Sequence, residues 1–161
     1  MHRIDIPGGI ATGIGGLPHR DAGEAAAFSL REMEMPCIPS LPRRSPAESA
    51  IAQAMVGMQG ITVGQYGSLS VHPDQIDPLA PVVTDLQHDA YAGFRAFLEA
   101  AQGRQGWVKW QFVGPVTFGH ALMRAGVPMS EAFESAVRCI RDRVEHMLQA
   151  VEEALPGCRQ L

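Results

Sequence analysis

"ATGIGGLPHRD", residues 11–21, is the stretch on which the fold turns. A Rossmann fingerprint runs G-x-G-x-x-G into a helix, and its third glycine permits close packing of helix on strand. Gly13 and Gly15 meet the first two positions, but Pro18 occupies the third, and the lysine of a phosphate-binding loop is missing. That argues against a dinucleotide or triphosphate cradle. The other reading is a buried strand over 9–15 whose carboxyl end is bare of side chains, since glycine lets a ligand approach the main chain. Glycines that merely relieve crowding at a tight turn fit the same letters. Pro18 fixes the exit and His19 follows. Asp21, with Glu24 three residues on, reads as a capping box opening a helix to about Met33. Such a helix start favours a carboxylate or another anion.

Outward from this stretch, short extended runs alternate with capped helices. "PCIPSLP" (36–42) reads as a strand with prolines at its ends. In "SPAES" (45–49), Ser45 caps, Pro46 takes the first helical position and Glu48 bonds back to the cap. Ala47, Ile51, Ala54, Met55 and Met58 then share a helical face. "ITVGQYGSLSV" (61–71) is a bent strand or a small hairpin, with Gln65 and Tyr66 lining a pocket or exposed; 72–88 is irregular. Tyr91, Phe94, Phe97, Leu98 and Ala101 make a helical stripe closed by Gly103. "WVKWQFVGPV" (107–116) is the best strand, followed by a short helix over about 118–125. Ser130 caps a long helix whose apolar positions run from Phe133 to Leu155, with Arg138, Arg141, Asp142, Arg143 and Glu145 on its polar face. Another strand would begin at "PGCRQL" (156–161). This alternation predicts an α/β fold of parallel βα units.

Composition bounds the class. The chain has 161 residues, 46% of them hydrophobic, a net charge of −4 and no basic run longer than Arg43-Arg44. That is enough for one globular domain and carries no electrostatic footprint for nucleic acid. No apolar run approaches the ~18 residues a membrane helix needs. Three widely spaced cysteines, Cys37, Cys139 and Cys158, suit reduced thiols. The expected setting is cytoplasmic.

Taken in order, "TGIGGLPH" (12–19), "PSLPRRSPAESAIAQ" (39–53) and "VKWQFVGPVT" (108–117) resemble the methionine synthase and uroporphyrinogen decarboxylase superfamily. The branch they are most similar to is the C-terminal domain of cobalamin-independent methionine synthase. The resemblance implies a (βα)8 TIM-type barrel with its site at the carboxyl ends of the strands. It implies methyl transfer, with a methylated folate as possible donor, to a thiol such as homocysteine activated by zinc. A barrel takes about 250 residues. Residues 1–161 thus read as the N-terminal part of a single barrel domain, about half of it. The family's zinc ligands, a His-x-Cys pair, a Glu and a second Cys, lie in later strands, so no metal ligand is expected in this chain. An open half-barrel implies self-association or pairing with the missing half.

By the same resemblance Ile14, Gly15 and Gly16 hold the acceptor. Gly16 stands where the family has serine, which leaves only main-chain contacts there. Gln111 and Thr117 line the pocket. His19 and His120, each after a ligand-facing strand end, supply acid–base or hydrogen-bonding groups or else lie in solvated loops. Arg43 and Arg44 meet a polyanionic substrate or solvent. Cys139 and His146 stand two helical turns apart, ~11 Å, too far to share one ion. The arginine-bearing signature of the decarboxylases is absent, "LPHRDAG" standing in its place. The competing readings are a non-catalytic half-barrel that assembles with another chain, and another superfamily enzyme, a corrinoid-linked thiol methyltransferase or a decarboxylase.

Overall fold

The computed structural model describes residues 6, 8–64 and 68–161. Helix α1 spans Ala22–Glu32, and Asp21 caps it, its carboxylate accepting from the Glu24 amide at 2.8 Å. On either side of α1 the chain is extended. Residues 11–16 and 35–40 run parallel, joined by bridges at Thr12–Met35 and Gly16–Ser40 rather than by a continuous ladder. Pro36, Pro39 and Pro42 lack amide hydrogens, and that limits the pairing. The first segment is not the buried strand expected: Ile14 is 70% exposed.

The predicted helix start at Ser45 forms differently. Ser45 makes no side-chain cap bond, Pro46–Glu48 is a single 3-10 turn, and α2 begins anew at Ala50, ending at Met55. Glu48 has turned inward and is fully buried, so its carboxylate does not reach back to the cap. Strands β1 (Ile61–Val63) and β2 (Leu69–Val71) form an antiparallel hairpin, and the roles considered for Gln65 and Tyr66 fall outside the described residues. An irregular stretch with a 3-10 turn at Pro73–Gln75 leads to α3, Ala92–Ala100, whose Phe94 and Phe97 are buried with the preceding Tyr91.

Strand β3 is Gly106–Val108, shorter than expected. Lys109 adds a parallel bridge to Cys37, and then the chain leaves the ladder. Pro115 sets the φ of a first helical turn, so α4 spans Pro115–Arg124 and starts ahead of the predicted 118. Helix α5 runs Met129–Ala154 with Pro128 at its cap, which puts Ser130 inside the helix rather than at its N-cap. Its inward face overlaps the predicted one: Ile140, Met147, Val151 and Leu155 are buried as expected, Ala132, Ala136, Cys139 and Arg143 are buried with them, and Val137 is instead 52% exposed. Strand β4, Cys158–Gln160, pairs parallel with β3 where a further strand was anticipated.

The result is a mixed α/β fold with two two-stranded sheets, one antiparallel and one parallel. A continuous wall of βα repeats is not formed among the described residues. Parallel bridges nevertheless link 11–16 to 35–40 and 35–40 to Lys109, beside which β4 lies. One core cluster packs α3 and the C-terminal half of α5 against Ala26, Ile38 and Val108; a second packs α4 and the N-terminal half of α5 against α2.

Candidate functional site

Two side chains of the third parallel segment cross the second to reach the first. The Lys109 ammonium donates to the Gly13 carbonyl at 2.8 Å, although 96 residues separate them in sequence. Gln111, two residues on, brings its Cγ to 3.9 Å from where a Gly15 Cβ would stand. Residues i and i+2 of an extended chain share a face, so Lys109–Gly13 and Gln111–Gly15 are successive rungs over the middle segment. Both glycines are bare against the middle segment and the end of α1. A Cβ at Gly13 would come within 3.0 Å of Cys37 Sγ and closer still to Met33, and one at Gly15 would sit 3.0 Å from the Ile38 carbonyl. Gly15 also has φ +120°, which a side chain rarely tolerates.

Gly15 and Gln111 therefore meet, and together with Ser40, Gln53 and Trp110 they line a narrow cleft of about 20 Å³. Gly16 pairs with Ser40 and has open space where a side chain would stand. Ile14 points to solvent. His19 packs its ring 5.2 Å from Phe28 of α1, and its buried Nδ1 has no hydrogen-bond partner. His120 is exposed and meets Phe133 of α5 edge-on at 5.4 Å. Thr117 is exposed in the first turn of α4. None of Ile14, His19, Thr117 or His120 lines the cleft where Gly15 and Gln111 meet.

Other polar groups are spoken for. Arg44 pairs with Glu48 at 2.5 Å and with Asp89 at 2.9 Å, beside a cavity of about 430 Å³ that His88 and Val63 also line. Glu48 accepts from the amides of Leu41 and Gly93, yet burial pushes its carboxyl above the ordinary range, outweighing the pull of Arg44. Burial pushes the Cys139 thiol up to about 11, and Cys158 upward as well, so neither is a thiolate at neutral pH. Among the described residues no three His, Cys, Asp or Glu side chains converge in a way that would hold a metal ion.

Lys109 was legible only as a strand residue of "VKWQFVGPV", and its reach to Gly13 is a tertiary fact. One signal does stand in the letters: of 13 Lys and Arg residues, Lys109 is the single lysine. A further groove of about 320 Å³, lined by Trp110, Phe112, Ile140, Val144, Leu148 and Leu161, opens where α5 passes β4. No family model, curated protein or solved structure matches the chain.

Proposed function

We propose that this chain is the N-terminal part of a (βα)8-type barrel of the methyltransferase kind, and that it holds the methyl acceptor, a small amino acid bearing a thiol such as homocysteine. The reading rests on the sequence resemblance to cobalamin-independent methionine synthase, and one observation supports it here: Gly15 and Gln111 come together beside the Gly16–Ser40 bridge, at a cleft of about 20 Å³ that has room for about one water, so the acceptor would rest across its mouth rather than inside it. The sequence order of the parallel segments, 11–16, 35–40, 106–109 and 158–160, is what successive strands of such a barrel require. Bare main chain at Gly15 and Gly16 suits the ammonium or carboxylate of an amino acid, with the Gln111 carboxamide as a second contact. The described residues do not fit a zinc site, so the activation of the thiol is not assigned to them.

Calorimetric titration of L-homocysteine into the protein tests the reading. Binding is expected, weakened about tenfold in Gln111→Ala, the loss of one good hydrogen bond. Gly16→Ser, which restores the family's hydroxyl in open space, should bind at least as well. Absence of binding by the parent chain, or affinity indifferent to Gln111, would sink it.

A second reading, a half-barrel that serves by assembling, is favoured by exposed apolar surface. Ile14 faces solvent on one side of the parallel array, and the Trp110–Leu161 groove opens on the other. A second copy of the chain is the proposed occupant.

A further inference from the structure

We infer that Lys109 is the anchor for a carboxylate on the bound ligand, an inference that rests on the acceptor-binding reading and names the chemistry of its acidic end. Four observations on different levels lead there. Lys109 is the chain's single lysine, set in a segment whose neighbours are apolar or neutral. Its ammonium is half-buried and held at 2.8 Å by the Gly13 carbonyl, which uses one of its three hydrogens and leaves two to donate.

It has no ion-pair partner among the described residues; the pairs that form involve Arg31, Arg44 and His146. Finally, 11–16, 35–40, 106–111 and 157–161 contain two cations, Lys109 and Arg159, and no Asp or Glu at all. Arg159 is itself engaged, its guanidinium 5.7 Å from the Trp107 ring centroid. A half-buried cation with spare donors, no ion pair and no Asp or Glu on the segments beside it has donors free for an incoming carboxylate. The Gln111 rung lies two residues beyond on the same face, so a carboxylate bound by Lys109 adjoins the cleft at Gly15. Lysine suits this role as a compact point charge whose donors turn to meet one ligand oxygen.

Because only one lysine exists, isotope-labelled lysine gives a single side-chain reporter with no mutation. Its ε-CH2 resonance should move saturably on titration with L-methionine, used as a stable thioether probe, and with acetate at constant ionic strength. It should not move with L-methionine methyl ester, whose acidic end is masked. Lys109→Met should raise the Kd for L-methionine about tenfold or more while leaving the ester unaffected, and Lys109→Arg should recover part of the loss. If L-methionine binds but neither the lysine resonance nor Lys109→Met responds, the anchor is wrong and the acceptor site stands. If no amino acid binds but acetate moves the lysine signal, the acceptor reading fails and the anion anchor survives. Silence toward acetate and amino acid alike overturns both.

Discussion

At the scale of single residues, Glu48 separates what is local from what is not. Asp21 and Glu48 both stand where a sequence reading assigns them to helix caps. Asp21 does cap, because its partner is the Glu24 amide three residues away. Glu48 binds Leu41, Arg44 and, 45 residues away, Gly93. Burial raises its carboxyl from the usual 4.5, so the folded protein holds this proton more tightly than the unfolded chain. Stability from this group is therefore greatest below pH 4.5 and is lost as the pH rises through the raised folded value. Urea denaturation of the parent and Glu48→Gln at a series of pH values checks this. The parent's advantage should shrink as the pH rises above 4.5, and a gap that widened would contradict the account.

At the scale of elements, α5 shows how a helix is placed by what it grips. Periodicity located it and set its end near Leu155, but put Arg143 on the wet face. Arg143 is fully buried, donating to the Val83 carbonyl at 2.6 Å, to the Thr84 hydroxyl at 2.8 Å and to the Val56 carbonyl. Thr84 in turn bonds Asp142. The guanidinium thus ties the irregular 82–84 stretch and the end of α2 to α5, on a buried face that also holds the expected Ile140, Met147, Val151 and Leu155. Removing it leaves buried carbonyls unpaired. Arg143→Met should cost about 3–5 kcal/mol in urea unfolding, with Arg143→Lys in between. Amide exchange across 82–86 should quicken in the Met variant; unchanged protection there would remove the tie from the explanation.

At the scale of the whole molecule, two apolar surfaces flank the parallel array: Ile14 at one side and the Trp110–Leu161 groove at the other. If a second copy covers them, light scattering during size exclusion should give twice the 17.3 kDa chain mass. Leu148→Glu, in the groove and 36% exposed, should shift the population to monomer with its far-UV spectrum intact. A parent that stays monomeric at high concentration ends the proposal. No helix among the described residues is long and apolar enough to cross a membrane.

By itself the sequence determined the features that rest on near neighbours: the Asp21 cap, the aromatic stripe from Tyr91 to Phe97, the turn at Gly103 and the existence of α5. Each depends on backbone geometry and contacts a few residues apart, which a linear string records. Only the tertiary structure decided which segments pair, that prolines thin the pairing to single bridges, and that Gly13 is bare against Met33 and Cys37 and Gly15 against the Ile38 carbonyl. Those outcomes depend on groups far apart in the sequence meeting at van der Waals distance, and neither spacing nor hydropathy encodes which distant partners will meet.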